Sequence, residues 1–408
     1  MTIKPADKPA SLTPLASPGA ASFVVFFRLA PLTLAVFIAF LTIGLQLPVL
    51  PLHLKDALGM NATMVGVVVG AQFAAALLSR AWAGNQADLH GAKRAVVMGF
   101  MAAAVSALIY LASLALLDRP ALSVLVLLAG RVVLALGESL VVTGTMSWGI
   151  ALVGPQHGGK VMVWLGIAIY AAMACGAPLG VAVSHVYGFA GICLVGLAIA
   201  LLALALIAGL RPVAPGASRR TPFYKVLGAV WQPGLGLALS SVGFGVITAF
   251  IALLFAARGW GDSSLAFTSF GVAFIIARLL FSHLPDRIGG ARVALVCVLI
   301  EALGQLLIWQ ADASALAYAG AALTGFGYSL AFPGFGVEAM RRAPPQTRGL
   351  AMGAYVAFLD LSLGVTSPLA GALASQVGVQ GVYLAGAVLV GLSMLVALHL
   401  MRSPGEGT

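Results

Sequence analysis

Apolar runs of about 20 residues follow one another from Pro31 to Met401, separated by short polar connections. A helix of that length crosses a hydrocarbon core of ~30 Å, and a chain in lipid must satisfy its backbone hydrogen bonds internally. Only 8% of the 408 residues are charged, whereas soluble domains carry about 25%. The pattern excludes a water-soluble fold and predicts an all-α integral membrane protein.

Twelve of these runs are long enough to cross a membrane, and we number them spans 1 to 12. Their predicted bounds are 31–54, 60–83, 94–116, 120–145, 161–184, 188–210, 232–257, 264–283, 291–310, 314–338, 349–373 and 380–401. The longest polar connection, 211–231, is the expected cytoplasmic linker. It divides a six-helix bundle at 31–210 from a second one at 232–401, with cytoplasmic tails at 1–30 and 402–408.

The basic residues predict the orientation of the spans. If the N-terminus is cytoplasmic, most of the 22 Lys and Arg residues fall on the inner side, and the outer connections carry only Lys55, Arg119 and Arg258. Positive residues accumulate in cytoplasmic connections, so both termini are expected inside. The net charge of +10 then reflects topology, and no nucleic-acid partner is expected.

Several motifs of the first half of the chain recur, in the same order, in the second half. The recurring pairs are Asp88 and Asp286, Gly91 and Gly289, Arg94 and Arg292, Pro178 and Pro368, and Gly188 and Gly378. Parallel repeats of this kind occur in secondary transporters, whose substrate site lies near the midplane between the repeats. We therefore expect two pseudo-symmetric six-helix halves.

A charged, glycine-punctuated hinge joins spans 2 and 3. It is formed by Gly84, Asp88, Gly91, Lys93 and Arg94, with a weaker copy at Asp286 and Arg292. The hinge resembles the loop between helices 2 and 3 of the major facilitator superfamily. That resemblance implies a gating latch in which Asp88 faces the N-terminal end of span 11, where the helix dipole favours a carboxylate. The alternative is a tight turn kept positive for topology.

Three charges inside spans are candidates for proton coupling. Arg131 and Glu138 lie two turns apart on one face of span 4, ~10 Å along its axis, and Asp360 lies within span 11. A charge at this depth is costly and is a functional hypothesis by default. Arg131 with the following Gly137 also resembles the family's helix-4 arginine motif. Alternatively, Arg131 clamps carbonyl groups while Glu138 reaches towards the interface.

The candidate substrate cavity follows from the family's architecture, in which helices 1, 4, 7 and 10 line the cavity. Its predicted members are Gln46, Arg131, Arg278, Tyr328 and Ser329. Arg278 either pairs with a carboxylate such as Asp360 or faces an anionic substrate. Glu301, in span 9, is expected to belong to a structural ion pair.

Span 5 contains Gly176, Pro178 and Gly180, which resemble the Gly-Pro-x-x-Gly element of proton-linked exporters. Proline removes a helical hydrogen bond and bends the axis, and Pro368 repeats this device in span 11. The element predicts an exporter, although a kink that serves only helix packing explains it nearly as well.

The segments Leu41–Gly44, Gly84–Leu89, Ala177–Gly180 and Asp360–Thr366 resemble the YhhS/YfcJ-like bacterial transporters. Members of that group are described mostly as efflux proteins of poorly defined substrate. The resemblance implies a secondary transporter of the bacterial inner membrane that works by rocking of two halves around a central site.

We predict proton-coupled export, by antiport, of a small anionic or zwitterionic organic compound or drug. The expected partners are the lipid bilayer, the substrate and protons, and the chain is expected to act as a monomer without cofactor, metal or enzymatic activity. One alternative is an importer or facilitator of a sugar or small organic acid. The other is a membrane sensor that transports nothing.

Overall fold

The structure, a computed structural model, describes residues 18–154, 157–213, 224–343 and 348–403. Over these residues the chain is helical, as the composition predicts, and it forms ten long helices where the sequence predicted twelve spans. In chain order they are α1 (Pro18–Gln46), α2 (Ala62–His90), α3 (Ala92–Ser113), α4 (Pro120–Val153), α5 (Gly158–Ala208), α6 (Tyr224–Arg258), α7 (Ser264–Phe281), α8 (Gly290–Trp309), α9 (Ser314–Arg342) and α10 (Arg348–Arg402). Short helical segments lie at Val49–Leu52, His53–Ala57, Leu114–Leu116 and Leu284–Ile288.

Within the described ranges, ten helical stretches are long and apolar enough to cross a membrane. Their outer faces carry large apolar side chains, such as Leu78, which is 82% exposed, and Leu369 and Leu395, which are also exposed. Contiguous apolar surface of this kind marks a protein or membrane contact. On helices of this length, we read it as the surface that faces lipid.

The two longest helices are each interrupted by one glycine. Gly188 in α5 has φ 62° and ψ −161°, and Gly378 in α10 has φ 81° and ψ 161°. A positive φ is readily adopted only by glycine. Each long helix therefore consists of two helical segments that meet at this residue, at the boundaries predicted between spans 5 and 6 and between spans 11 and 12.

Two predicted helix starts differ from the structure. Helix α1 begins at Pro18 rather than Pro31, and α6 begins at Tyr224 rather than 232, within the predicted linker. Pro31 and Pro233 lie inside these helices, because proline is tolerated in membrane helices where neighbours satisfy the freed carbonyl. The remainder of the predicted tails and linker, at 1–17, 214–223 and 404–408, lies outside the described residues.

The hinge predicted between spans 2 and 3 is mostly helical. Helix α2 continues through Asp88 to His90. At its start, the Asn61 side chain accepts a hydrogen bond from the Met64 N–H at 2.9 Å. The chain turns only at Gly91, with φ 92° and ψ 142°. Gly289, its predicted counterpart, has φ 95° and ψ 140°. Before Gly91 the sequence has no proline, and α2 continues to His90; before Gly289 the helix is the short segment Leu284–Ile288, with Pro285 in its first turn, where proline is tolerated.

Glycines bring α1 and α5 into close contact. A Cβ atom on Gly44 would lie 2.8 Å from the Ala172 carbonyl oxygen, and one on Gly176 would lie 2.9 Å from the Gly44 Cα. A Cβ on Gly180 would meet the backbone of Leu45. Small residues allow such backbone approach in membrane bundles. Gly176 and Gly180 therefore have a packing role in this structure.

A second glycine-lined contact joins α2 to α10, and we call it the α2/α10 seam. Gly66 packs on Ser367 and Pro368, and a Cβ on Gly70 would lie 2.9 Å from the Gly364 carbonyl oxygen. Between α5 and α7, a Cβ on Gly271 would lie 2.8 Å from the carbonyl oxygen of Tyr170. These two contacts connect the helices that precede residue 211 with those that follow it.

The packing of α1 on α5 gives a first prediction. Gly180→Ala should lower the free energy of unfolding by about 1–3 kcal/mol, because the added methyl group overpacks the contact with Leu45. The measurement is the thermal unfolding midpoint in detergent. Gly166→Ala is the matched control, since Gly166 lies in the same helix with no atom near its Cβ position. Equal midpoints for the two variants would contradict the packing role.

Candidate functional site

An ion pair joins α2 to α10 beyond the end of the glycine-lined seam. Arg80 Nη2 lies 2.5 Å from Asp360 Oδ2, and Arg80 Nε donates to the same oxygen at 2.6 Å. The Asp360 side chain is 6% exposed and that of Arg80 is 24% exposed. In the described ranges, the other ion pairs join Glu338 to arginines of its own helix. Asp360 thus pairs with Arg80, and the pairing considered with Arg278 is not formed.

Glu138 takes part in a polar contact between α2 and α4. Gln72 Nε2 donates to Glu138 Oε2 at 2.7 Å, and Gln72 is fully buried. Ser79 donates to Ser139 at 2.9 Å between the same two helices. Glu138 is therefore held by Gln72, which lies about two turns from Arg80 on α2.

Arg131 is held by oxygen atoms that carry no full charge. Its Nη1 donates to Gln46 Oε1 at 3.3 Å, and its Nε and Nη2 donate to the carbonyl oxygens of Val68 and Val69 at 3.3 and 3.5 Å. Arg131 is 4% exposed and forms no ion pair with a described residue. These hydrogen bonds hold α1 and α2 against α4, as in the carbonyl clamp considered from sequence. No described carboxylate neutralises the positive charge of Arg131.

Arg278 lies in a cluster of aromatic rings. Its guanidinium carbon is 5.1 Å from the centroid of Phe274, and its Nε has no hydrogen-bond partner among the described residues. The Tyr170 ring stacks on Phe274 with centroids 3.7 Å apart, and Phe244 is nearly parallel to Tyr328 at 5.5 Å. Of the predicted cavity residues, Arg278 and Tyr328 therefore lie in one cluster.

The other predicted cavity residues are used differently. Gln46 contacts Arg131, as described, and its own Nε2 donates to the Thr42 carbonyl at 3.0 Å. Ser329 donates to the carbonyl oxygen of Phe274 at 2.8 Å, which fixes α9 to α7. The cavity predicted as one set is thus divided into a group around Arg131 and a group around Arg278.

Sequence reasoning missed four rings of the Arg278 cluster: Tyr170, Phe244, Phe270 and Phe274. One signal was present, because Phe270, Phe274 and Arg278 are spaced four residues apart and so share one face of a helix. Tyr170 and Phe244 carry no such signal. They come from α5 and α6, and only the packing of the helices brings them to α7.

The predicted gating residues are placed as follows. Lys93 Nζ donates to the carbonyl oxygens of Ala208 and Leu210, at 2.8 and 2.6 Å, and so caps the end of α5. Gly84 faces Thr143 of α4, while Arg94, Asp286 and Arg292 are exposed. Asp88 has no hydrogen bond within the described ranges. Its predicted partner, the start of span 11, borders residues 344–347, which are outside those ranges, so the latch stays a prediction.

Glu301 is fully buried, and neither carboxylate oxygen has a hydrogen-bond partner among the described residues. It forms no ion pair with them either, so the structural pair expected from sequence is wrong. The carboxylate lies against Gly243 of α6, where a Cβ atom would be 2.7 Å from Oε1. Sequence alone could not show whether Glu301 has an ion-pair partner, because this depends on which helices surround span 9.

Comparison with known proteins agrees with this architecture. Residues 32–261 and 234–408 match the family model described as Major Facilitator Superfamily. The uncharacterized MFS-type transporter YhhS of Escherichia coli K12 is 42% identical over 393 residues, covering 96% of this chain and 97% of the relative. The uncharacterized MFS-type transporter BURPS1106A_3201 of Burkholderia pseudomallei 1106a is 45% identical over 375 residues, covering 91% and 92%.

Solved structures share the fold at low sequence identity. A D-xylose-proton symporter superposes with a TM-score of 0.73 at 14% identity, covering 94% of this chain and 98% of that one. The human organic anion transporter MFSD10 gives 0.66 at 16% identity, covering 94% and 100%. Because the family model matches most of the chain and relatives above 40% identity span nearly all of it, the chain belongs to the major facilitator superfamily.

Proposed function

We propose that this protein is a proton-coupled exporter of a small anionic or zwitterionic organic compound, working by alternating access in the bacterial inner membrane. The observation that carries the proposal is the ion pair between Arg80 and Asp360, which joins helices from the two parts of the chain. Membership of a transporter family supports secondary transport, and the polar network supports the finer assignment of proton coupling.

The moving parts would be two pseudo-symmetric six-helix halves, at 31–210 and 232–401. A continuous helix of 51 residues, such as α5, would be ~77 Å long at 1.5 Å per residue, more than twice the ~30 Å hydrocarbon core. Helices α5 and α10 would therefore each cross the bilayer twice, turning at Gly188 and Gly378, which gives twelve crossings. The similar backbone angles at Gly91 and Gly289 support the repeat.

With both termini cytoplasmic, the Ala62 end of α2 would face the outside. At that end the α2/α10 seam is closed by direct backbone packing, with Gly371 against Ala62 and Thr63. Farther along, the two helices are joined through the longer side chains of Arg80 and Asp360. This arrangement is consistent with a state that is closed on the outside. The ion pair would then lie nearer the cytoplasm than the glycine contacts between α2 and α10 do.

The ion pair links proton binding to the contact between the halves. Removing one charge from a buried pair leaves the other uncompensated, which is strongly unfavourable. A proton on Asp360 would cancel the charge that holds Arg80, and Arg80 would then act on the neighbouring Glu138. Two carboxylates would thus share one arginine, Arg80, in place of the pairing of Asp360 with Arg278 considered from sequence.

Arg131 and Arg278 are buried and have no carboxylate partner among the described residues. Because their positive charges are not balanced there, they favour a substrate that carries negative charge. One structural neighbour is named as an organic anion transporter and another as a proton symporter for D-xylose. The fold therefore accommodates both organic anions and coupling to protons in these neighbours.

The proton-carrier assignment is tested in liposomes that contain a pH-sensitive dye. A gradient of anionic or zwitterionic metabolites should move protons through the wild type, and Asp360→Asn and Glu138→Gln should each slow this movement at least about tenfold. Asp312→Asn is the matched control, because Asp312 is an exposed acid in the connection between α8 and α9. Labelled-substrate flux without any proton signal would instead indicate a facilitator.

The ion pair itself is tested by a double-mutant cycle on thermal stability in detergent. Arg80→Gln should lower the unfolding midpoint more than Asp360→Asn does, because it leaves a carboxylate that is nearly fully buried without its partner, whereas Arg80 is partly exposed. The double variant Arg80→Gln/Asp360→Asn should lose less than the sum of the single losses. Additive losses would show that the two side chains do not interact in the folded protein.

A further inference from the structure

One face of α7 carries two rings and a cation. Phe270, Phe274 and Arg278 follow one another at a spacing of four residues, so their side chains are stacked along the helix. The guanidinium carbon of Arg278 lies 5.1 Å from the Phe274 ring centroid. This distance is within the range of a cation–π contact. The face therefore presents an apolar surface that ends in a positive charge.

Rings from three other helices pack against this face, and we call the resulting cluster the aromatic box: Tyr170, Phe244, Phe270, Phe274 and Tyr328. Tyr170 of α5 stacks on Phe274 with an interplanar angle of 29°, and Phe244 of α6 lies 5.3 Å from Phe270. Tyr328 of α9 packs against Phe244, with ring centroids 5.5 Å apart, and is fully buried. Flat aromatic walls of this kind favour a flat aromatic guest in offset stacking.

The charge at the end of the box is not balanced by the described part of the chain. Arg278 is 7% exposed, and its Nε has no hydrogen-bond partner. No described carboxylate lies within 4.0 Å of the Arg278 guanidinium. Asp360 is paired with Arg80, and Glu301 is packed against Gly243 of α6. A guanidinium cannot lose its proton in a protein. A bound anion is therefore the natural counter-charge, and a carboxylate matches the guanidinium in a bidentate geometry.

The box is also divided between the two proposed halves. Tyr170 belongs to α5, whereas Phe274 and Arg278 belong to α7, and the two helices touch where Gly271 meets the carbonyl oxygen of Tyr170. The centroids of Tyr170 and Phe274 are 3.7 Å apart, the separation of two stacked rings. Movement of the halves by about one further ring thickness, roughly 3.5–4 Å, would open a slot between them for a flat guest.

We propose that the aromatic box binds a planar aromatic carboxylate, with its ring between Tyr170 and Phe274 and its carboxylate on Arg278. This inference rests on the proposed function, because the relative motion of the halves opens the slot, and it names the substrate class for that function. Such a ligand replaces the stack between Tyr170 and Phe274 with two equivalent stacks and supplies the anion that Arg278 lacks.

The test is equilibrium binding of radiolabelled benzoate to the purified full-length protein in lipid nanodiscs. Two comparators separate the contributions: cyclohexanecarboxylate keeps the charge without the flat ring, and benzyl alcohol keeps the ring without the charge. Benzoate should bind at least about tenfold more tightly than either. Equal affinity for cyclohexanecarboxylate would overturn the stacking role of the box, and equal affinity for benzyl alcohol would overturn the role of Arg278.

Variants then assign the binding to these side chains. Arg278→Gln and Tyr170→Leu should each weaken benzoate binding at least about tenfold, and Arg278→Lys should fall between Arg278→Gln and wild type because lysine keeps the charge but loses the bidentate fork. The matched control is Arg258→Gln, since Arg258 also lies over an aromatic ring, that of Trp260 at 5.7 Å, but is exposed. Thermal unfolding midpoints within a few degrees of wild type would show that the variants are folded.

Flux in liposomes distinguishes failure of this inference from failure of the proposed function. If benzoate does not bind while another metabolite drives proton movement, the aromatic carboxylate assignment is wrong and the exporter proposal stands. If benzoate binds through Arg278 and Tyr170 but no compound crosses the membrane with or against protons, the binding site is supported and the proposed function is rejected.

Discussion

A polar group in a bilayer must find its partner inside the protein, and this constraint determines how the interior of the bundle is organised. Asp360 is satisfied by Arg80, Glu138 by Gln72, and Arg131 by carbonyl oxygens of α2. Each of these contacts joins two helices. Arg278 and Glu301 are the buried charged residues that keep unpartnered polar atoms among the described residues, and Arg278, which lies among aromatic rings, identifies a candidate ligand site.

The contacts that connect the parts of the chain on either side of the linker differ in what can change them. The glycine-lined seams are apolar and insensitive to charge, whereas the ion pair of Arg80 with Asp360 depends on the protonation of one carboxylate. In alternating access both contacts rearrange, and protonation acts on the ion pair. The combination provides a physical basis for coupling a proton to the relative position of the halves.

Sequence predicted the all-helical fold, the family and the turning glycines Gly91 and Gly289, because hydrophobic length and positive φ are local properties. It did not predict that Asp360 pairs with Arg80, nor that Tyr170 and Phe244 meet Arg278, because those partners come from helices far apart in the chain. The segment from Gly84 to His90 was expected to be part of a hinge because it contains glycine and polar residues, yet α2 continues through it to His90.

The central claim, that the two parts of the chain rock about a proton-sensitive contact, is tested most directly by pulsed electron–electron distance measurements in nanodiscs. In a variant without Cys175, Cys193 and Cys297, spin labels would be placed at the exposed positions Leu89 and Ile288, and in a second sample at Lys55 and Val377. Asp360→Asn should lengthen the Lys55–Val377 distance and shorten the Leu89–Ile288 distance, because it removes a contact of the described state. Distances that change in the same direction, or not at all, would contradict alternating access controlled by this ion pair.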